Sequence, residues 1–342
     1  MAYGEDVAWS VPRGEAARVW QMQRAVVPLL DALIMLTGVV GHGLVVLILA
    51  GRRRRRAQQP ARGTDTLLLA LSAADLLLLA CLPFHTAAIA LGHWPFGEFM
   101  CKAVSFLGVA CSSASVFSLS ALAVTRYLTV VHPTWAFRSL VRRRLRLVAA
   151  ALWLPAAALA APQFAIRTVG SSTQLSCFAF LSDVSQLVYG TGLFLVAFAL
   201  PLVVIVLMYG KIYCFLRRAR TTGHAPQLER YQSQVTHTSA LLVVVFTLCW
   251  LPSYALMFSL VGETLASTPS YRDVAIFARL LASSSTVANP VLYVFMSNKF
   301  RKDLMALGRG RCRAWGGGGG CWSRRDAVHP LNPAELGNPP QG

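Results

Sequence analysis

Seven long apolar segments, separated by short polar connections, dominate the pattern of the chain. Each has the roughly 20 residues that a helix needs to cross the hydrocarbon core of a membrane. Continuous apolar runs of this length predict helices, because only helices and closed barrels satisfy their backbone hydrogen bonds in lipid. The segments cover residues 27–50, 66–91, 101–131, 145–163, 187–216, 235–261 and 274–296.

The pattern therefore predicts an all-α membrane protein, a seven-transmembrane helix bundle over residues 27–297. Residues 298–308 are predicted to form a short cytoplasmic amphipathic helix on the membrane surface, because apolar positions recur at helical spacing from Phe300 to Met305. Residues 1–26 are predicted to form an extracellular N-terminus. Residues 309–342, which contain the glycine run 316–320, are predicted to be a disordered cytoplasmic tail.

Composition and charge agree with a membrane protein. The 342 residues are 55% hydrophobic and 13% charged, about half the charged fraction of a soluble domain. The net charge of +18 fits either a nucleic-acid binder or a membrane protein with basic loops. Since 25 of the 32 Lys and Arg residues lie in the connections on one side and in the C-terminal region, that side is predicted to be cytoplasmic. Nucleic acid is excluded as a partner, and membrane lipids are expected to contact the basic connections.

Asp75 lies within the second apolar segment, where a carboxylate costs roughly 2.5–3.5 kcal/mol on insertion scales. Such a residue normally faces a polar site inside the bundle. The expected partners are Ser115, Ser285 and Asn289, with Trp250 nearby. Oxygen groups from three helices suit a sodium ion, which would be an allosteric ion rather than a cofactor. The alternative is a water-filled polar network without an ion.

Two further features of the apolar segments indicate moving parts. Arg126 lies 25 residues after Cys101, about 38 Å along a helix, and so at the cytoplasmic end of the bundle. It is either an anchor at the lipid headgroups or, beside Thr125 and Tyr127, part of a switch. Trp250 and Pro252 lie in the sixth segment, where proline removes a backbone hydrogen bond and permits bending.

The cysteines divide by the predicted sides of the membrane. Cys101 and Cys177 both lie on the outer side, where disulfides persist, and a bridge between them is expected. Cys312 and Cys321 lie on the inner side near basic residues. They are either lipidated or plain thiols of the tail.

Together these motifs resemble those of the rhodopsin-like (class A) G-protein-coupled receptors, over about residues 27–310. The matching features are spread over the whole bundle. They are Leu71–Asp75, Trp94–Gly97 before Cys101, Thr125-Arg126-Tyr127, Trp153, Pro201 with Tyr209, Cys249–Pro252, Asn289–Tyr293 and Phe300-Arg301.

The resemblance implies a receptor of the plasma membrane that binds its ligand among the outer halves of the helices. It implies that Trp250 relays binding, that the sixth helix moves outward around Pro252, and that Pro290 lies in a second switch motif. Arg126, Tyr209 and Tyr293 would help to form the site for a heterotrimeric G protein. Arrestin is a further expected partner at the same end.

Two departures from the family pattern affect these expectations. Thr125 stands where most members have an acidic residue, and Gln232 stands where many have Glu, so neither restrains Arg126 with a carboxylate. We therefore expect altered basal activity. His42 stands where the first helix usually has Asn, and an imidazole nitrogen can preserve the link to Asp75.

The ligand is predicted from the outer halves of the helices. Gly108 stands where amine receptors carry Asp, which argues against a monoamine, and no Lys between residues 274 and 297 is available for retinal. Arg279 is predicted to be the only charge well inside the cavity. It suits a ligand carboxylate, or it pairs with Glu263 or Asp273 within the chain. The candidate pocket residues are His85, Gly108, Val109, Phe164, Arg167, Phe178, Tyr189, Ser253, Tyr254, Met257, Ala275 and Arg279.

The segment from Trp94 to Leu107 is most similar to peptide receptors of the galanin, kisspeptin and somatostatin branch. That similarity implies a short peptide ligand and coupling to the inhibitory class of G proteins. The alternative is an atypical or decoy receptor of the same fold, which Thr125, His42 and the absence of Asn-x-Ser/Thr sites favour. A transporter lacks support because no internal repeat is visible, and an enzyme because no His-Glu-x-x-His or Gly-x-Ser-x-Gly motif occurs.

Overall fold

A computed structural model describes most of the chain. The described residues are 15–55, 63–132, 147–171, 175–179, 183–221, 226–259, 269–296 and 300–305. The predictions for residues 1–14, for the tail after residue 305, and for Cys312 and Cys321 concern parts of the chain outside these ranges.

The described residues are almost entirely helical. Residues 147–151 precede α4 and are helical as well, and so are residues 300–305 near the end of the described chain. The elements are α1 (Glu15–Arg55), α2 (Gly63–Leu91), α3 (Gly97–Val131), α4 (Trp153–Ala160), α5 (Gln163–Ile166), β1 (Arg167–Ser171), β2 (Leu175–Ala179), α6 (Asp183–Phe194), a π-helical segment (Leu195–Ala199), α7 (Leu200–Thr221), α8 (Pro226–Ser259) and α9 (Pro269–Met296).

The predicted transmembrane pattern agrees with these helices. Six helical stretches of the described chain are long and apolar enough to cross a membrane, namely Arg24–Gly51, Thr64–Leu91, Gly97–Val131, Leu147–Ile166, Val184–Arg218 and Val274–Val291. The remaining predicted segment lies in α8, a helix of 34 residues whose apolar stretch is Val243–Ser259. The helical fold class is therefore confirmed, with one small β-hairpin that the sequence pattern did not predict.

The helices bury polar side chains and expose apolar ones, the opposite of a soluble protein. In α1, the exposed side chains include Leu29 at 70% and Leu36 at 63% of their full area, while Asp31 and His42 are 2% and 1% exposed. This arrangement is stable in lipid, because hydrocarbon solvates leucine well and carboxylate or imidazole groups poorly. The polar face of α1 consequently points toward the other helices.

A β-hairpin between α5 and α6 covers one end of the bundle, which we call the hairpin end. β1 and β2 pair antiparallel, with Val169 opposite Cys177. A disulfide joins Cys177 to Cys101 in the first turns of α3, as predicted. The bridge lies in an apolar cluster with Trp94, Val104 and Cys81. The hairpin is thereby held against α3.

The turn from α2 into α3 has a conformation that favours glycine. Gly97 has φ of +74°, in the left-handed region that side chains with a Cβ rarely adopt. The indole Nε1 of Trp94 donates a hydrogen bond of 2.9 Å to the Gly97 carbonyl oxygen, and the ring is 3% exposed. This contact closes the turn and positions the start of α3 beside the hairpin.

Close contact between α1 and α9 depends on a glycine. A Cβ added at Gly41 would lie 2.8 Å from both Cβ and Cγ of Pro290, closer than real Cβ contacts. Pro290 is buried and its rigid ring cannot turn away. A Cβ added at Gly43, two residues further along α1, would meet nothing within 4 Å.

We predict that Gly41→Ala lowers the stability of the protein, because α1 must move away from Pro290 to make room. Overpacking of this kind costs about 1–3 kcal/mol. The measurement is thermal unfolding of the purified protein in detergent, with Gly43→Ala as the matched control. The control should unfold at or slightly above the wild-type temperature, because alanine favours a helix more than glycine does. Equal effects of the two substitutions would contradict the proposed contact.

Candidate functional site

A cavity of about 820 Å³ opens at the hairpin end of the bundle. Its walls come mainly from α2, α3, α8 and α9, with Arg24 from α1, Leu193 and Ala197 from the fifth span, and Arg167 and Cys177 from the two strands. Most of the predicted pocket residues line it: His85, Gly108, Val109, Arg167, Ser253, Tyr254, Met257, Ala275 and Arg279. A Cβ added at Gly108 would meet nothing within 4 Å, so the missing side chain contributes to the open volume.

Two of the predicted pocket residues lie elsewhere. Phe164 is 42% exposed and packs against Phe106, with ring centroids 5.1 Å apart. The hydroxyl of Tyr189 donates to the carbonyl oxygen of Leu159 and accepts from Nε2 of Gln163, both at 2.9 Å. Tyr189 thus holds α6 to the fourth span and does not form the cavity wall. The side chain of Phe178 lies outside the described part of the chain.

Arg279 has an intramolecular partner that the sequence did not suggest. Its Nη2 lies 2.7 Å from Oδ2 of Asp31. Glu263 and the side chain of Asp273, the alternative partners suggested by the sequence, lie outside the described part of the chain. The same oxygen accepts a hydrogen bond of 2.6 Å from the Thr86 hydroxyl. α1, α2 and α9 therefore meet at one carboxylate, which is 2% exposed.

The pair between Arg279 and Asp31 leaves hydrogen-bonding groups unused. Nε and Nη1 of Arg279 are buried without a partner, and so is Oδ1 of Asp31. A buried polar group without a partner costs about 1–3 kcal/mol. The pair is therefore held at a single point, whereas a guanidinium and a carboxylate commonly pair through two parallel hydrogen bonds.

The cavity wall contains more charge than the sequence indicated. Arg24 and Arg167 line it together with Arg279, and the described wall contains no Asp or Glu. Nε of Arg167 donates to Oε1 of Gln163 at 2.9 Å, and Nε of Arg24 donates to the Ala90 carbonyl oxygen at 2.6 Å. The prediction that Arg279 is the only charge in the cavity was therefore wrong. Asp31 also lies in an apolar segment, where a carboxylate is costly. The reasoning used for Asp75 would therefore have predicted that Asp31 faces a polar partner inside the bundle.

Asp75 lies in the middle of the bundle, 2% exposed, and is contacted by polar side chains of three other helices. Ser115 donates to Oδ1 at 2.8 Å, and Nδ2 of Asn289 donates to Oδ2 at 2.7 Å. Nε2 of His42 lies 3.4 Å from the same Oδ2 and 2.8 Å from the Thr286 carbonyl oxygen. Because that carbonyl can only accept, Nε2 of His42 carries a proton.

Ser285, a predicted partner of Asp75, is bonded elsewhere. Its hydroxyl donates to the Ala282 carbonyl oxygen at 2.6 Å and accepts from the indole Nε1 of Trp250 at 3.1 Å. Each oxygen of the Asp75 carboxylate accepts one hydrogen bond, from Ser115 or from Asn289, and the imidazole of His42 lies beside Oδ2. The residues present therefore fit a closed polar network better than a sodium site.

Trp250 connects the cavity with this polar core. Its ring lines the cavity, and its nitrogen bonds to Ser285, next to Thr286. Its ring also continues a row of aromatic side chains: the centroids of Phe246 and Tyr254 lie 5.9 and 6.4 Å away. Phe198, in the π-helical segment, lies 5.0 Å from Tyr254 and 6.1 Å from Phe246. Trp250 is thus packed among other aromatic side chains of α8, and these in turn contact Phe198 of the fifth span.

Comparison with known proteins agrees with this geometry. Residues 41–293 match the family described as 7 transmembrane receptor (rhodopsin family).

The chain belongs to the rhodopsin family of seven-transmembrane receptors.

The receptor is similar over most of its length to curated peptide receptors. It is 33% identical to galanin receptor type 3 of Mus musculus over 286 residues, 82% of this chain and 77% of the relative. It is 32% identical to galanin receptor type 3 of Homo sapiens over 321 residues, 92% and 85% of the two chains. It is 31% identical to somatostatin receptor type 4 of Rattus norvegicus over 289 residues, 82% of this chain and 72% of the relative. The receptor is a multi-pass membrane protein and not an enzyme.

The end of the receptor opposite the hairpin carries Arg126. The Thr125 hydroxyl donates to the Ala121 carbonyl oxygen at 2.8 Å, within its own helix. Nε of Arg126 is buried and has no hydrogen-bond partner, and no carboxylate of the described chain pairs with its guanidinium. The expectation that Arg126 is not restrained by Thr125 agrees with this geometry.

The other predicted switch residues lie close to this end or along the path to it. Tyr127 has Lys211 over its ring at 5.7 Å, and its hydroxyl lies 3.3 Å from Nε2 of His132. Tyr209 is 9% exposed in α7. Pro252 and Pro290 lie inside α8 and α9. The side chain of Tyr293 lies outside the described part. Switching by any of these residues remains a prediction.

We predict that replacing sodium by potassium at constant ionic strength does not change the thermal unfolding temperature of the purified receptor. The hydrogen bonds around Asp75 are satisfied by protein donors, so sodium has no stronger attachment than potassium. Sodium-specific stabilisation that disappears in Asp75→Asn would contradict this prediction.

The same network predicts that His42→Ala destabilises the receptor. Loss of the hydrogen bond to Thr286 and of the contact with Asp75 leaves buried acceptors without donors, at a cost of about 1–3 kcal/mol each. The measurement is again thermal unfolding. His132→Ala, which removes an exposed imidazole, is the control and should leave the unfolding temperature almost unchanged.

Proposed function

We propose that this receptor binds a short peptide at the hairpin end and transmits binding to heterotrimeric G proteins of the inhibitory class. The hairpin end faces the outside of the cell at the plasma membrane, and the Arg126 end faces the cytoplasm. The strong bias of Lys and Arg toward the connections at the Arg126 end supports this orientation.

The observation that carries the proposal is the position of Trp250 at the floor of the cavity. A ligand that fills the cavity contacts the Trp250 ring directly. The ring is bonded to Ser285, and the adjacent Thr286 is bonded to His42 beside Asp75. A displaced indole therefore disturbs both the aromatic row of α8 and the polar core that joins α1, α2, α3 and α9.

The size of the cavity supports a peptide that inserts only one end. A volume of about 820 Å³ falls within the range of about 300–1,000 Å³ of small-molecule sites. A few side chains fill such a space, so the rest of the peptide would lie outside, against the hairpin. The similar receptors for galanin and somatostatin support a peptide ligand, and Gly108 in place of an acidic residue argues against an amine.

A second candidate function keeps the fold without G-protein coupling. Thr125 bonds to its own helix, so Arg126 lacks the acidic neighbour that is usual in the family. An atypical receptor that binds peptide and remains silent toward G proteins is consistent with this feature. Measuring peptide binding and G-protein dissociation on the same cells separates the two functions.

The first test is G-protein dissociation in cells with confirmed surface expression, at rest and against a library of short neuropeptides. The proposal expects dissociation of inhibitory-class G proteins by at least one peptide. Arg279→Ala should weaken that response, because Arg279 lines the cavity. Lys102→Ala is the matched control: it removes a cation that pairs with Glu98 at the same end of the bundle and does not line the cavity.

Two results would contradict the proposal. Peptide binding without dissociation of any G-protein class would favour the atypical receptor. An equal loss of response in Lys102→Ala and Arg279→Ala would show that the substitutions act through surface charge rather than through the cavity.

We predict that Thr125→Asp lowers the basal activity of the receptor. A carboxylate next to Arg126 gives the guanidinium a charged acceptor, and such a pair stabilises the resting arrangement. The measurement is basal G-protein dissociation normalised to surface level, with Thr125→Asn as the uncharged control. Unchanged basal signalling at an unchanged surface level would refute the role of residue 125.

A further inference from the structure

We infer that the cavity receives an anionic group of the ligand, and that this group takes over Arg279 from Asp31. The inference rests on the proposed function in one respect, that the ligand is a peptide. The anionic group would then be an acidic side chain or a free C-terminal carboxylate, two sources of the same chemistry.

The cavity wall carries positive charge. The described cavity wall includes the guanidinium groups of Arg24, Arg167 and Arg279 and no carboxylate. Asp31 lies behind the wall on α1 and is 2% exposed. His85, which also lines the cavity, is within electrostatic range of Arg167, Arg279 and Asp31, so these charges share one neighbourhood. A cationic ligand group would be repelled there, whereas an anionic one would be attracted.

The guanidinium of Arg279 is incompletely hydrogen-bonded. Only Nη2 has a partner, Oδ2 of Asp31, while Nε and Nη1 are buried and unbonded. The side chain as a whole is 24% exposed and lines the cavity, so a small rotation of the guanidinium would present these two nitrogens to a ligand. A guanidinium binds a carboxylate best through two parallel hydrogen bonds. A ligand carboxylate can supply the second acceptor that Asp31 does not.

Asp31 can release Arg279 and still keep a hydrogen bond. Oδ2 of Asp31 also accepts from the Thr86 hydroxyl at 2.6 Å, and this bond does not involve α9. Arg279 can therefore move toward the ligand while Thr86 still donates to the carboxylate. Asp31 therefore competes with the ligand for Arg279, and a ligand carboxylate must bind Arg279 more favourably than Asp31 does.

Arg167 is already held in position beside the cavity. Its Nε donates to Gln163, and Gln163 is held in turn by the Tyr189 hydroxyl. A side chain fixed at one nitrogen loses little freedom when its other nitrogens bind a ligand. Arg167 and Arg279 approach the cavity from β1 and α9, so an anionic group between them would link the hairpin to α9.

The experiment uses the full-length receptor in lipid nanodiscs and measures thermal unfolding with defined small probes. The variants are Asp31→Ala, Asp31→Asn, Arg279→Gln and the double variant Asp31→Ala/Arg279→Gln. Sodium acetate is compared with sodium chloride and with acetamide. Acetate should raise the unfolding temperature of Asp31→Ala, because it supplies the missing carboxylate to Arg279, and should have no such effect on the double variant.

Asp31→Asn provides a second measure if Asp31→Ala does not fold. It keeps the shape of the side chain and an acceptor for Thr86 but removes the charge that competes for Arg279. If acetate stabilises neither Asp31→Ala nor Asp31→Asn more than chloride and acetamide do, the inference is overturned. Arg279 would then not accept another carboxylate in place of Asp31.

The second part of the experiment uses peptide pairs. Each peptide of a short-peptide library is made with a free C-terminal carboxylate and as the amide, and each Glu or Asp is matched by Gln or Asn. The peptides that raise the unfolding temperature of the receptor should be those that carry the carboxylate. Asp31→Asn should strengthen their binding about tenfold or more, and Arg279→Gln should weaken it by a similar factor, as expected for a hydrogen bond between charged groups.

These results separate the inference from the proposed function. Acidic peptides that stabilise the receptor without causing G-protein dissociation would support the anionic site and contradict signalling. Neutral or amidated peptides that stabilise as well as their acidic partners, and that also cause dissociation, would support signalling and overturn the anionic site.

Discussion

A carboxylate in the middle of a membrane needs polar partners, and Asp75 finds them on three other helices. Ser115 comes from α3, Asn289 from α9 and His42 from α1. Each donor is satisfied only if its helix keeps its rotation and depth, because hydrocarbon offers no water as a replacement. The network therefore specifies how α1, α2, α3 and α9 pack, and Gly41 lets α1 approach Pro290 closely enough to complete it.

The second buried carboxylate works differently. Asp75 accepts hydrogen bonds from a hydroxyl and an amide group. Asp31 instead pairs with the guanidinium of Arg279, which it contacts at one nitrogen only. Both oxygens of Asp75 are hydrogen-bonded within the protein, although Nδ1 of the neighbouring His42 is not, whereas the Asp31 pair leaves Nε and Nη1 of Arg279 and Oδ1 of Asp31 unbonded.

Trp250 lies between these two regions. It forms part of the cavity floor and bonds to Ser285, which is adjacent to Thr286, the acceptor for His42. Side chains in direct contact can carry an energetic coupling when they have two discrete arrangements. Pro252, two residues beyond Trp250 in α8, removes a backbone hydrogen bond where such a rearrangement would bend the helix.

Apolar length and a few polar residues within it predicted much of the molecule. The helices, the bridge between Cys101 and Cys177, and the contacts of Asp75 with Ser115 and Asn289 agree with expectation. The β-hairpin between α5 and α6 was not predicted, because its strands are short and lie in a polar connection. Tyr189 was expected in the cavity wall, but its hydroxyl found partners in the fourth span instead.

The sequence by itself determined that the chain crosses the membrane as helices and that particular polar residues must face inward, since both follow from the cost of leaving polar groups in hydrocarbon. It did not determine which inward residues meet. Asp31 and Arg279 are 248 residues apart, and their contact depends on the rotation of α1 against α9. That rotation is set by the packing of all the helices together, so the charge pattern of the cavity was decided only by the tertiary structure.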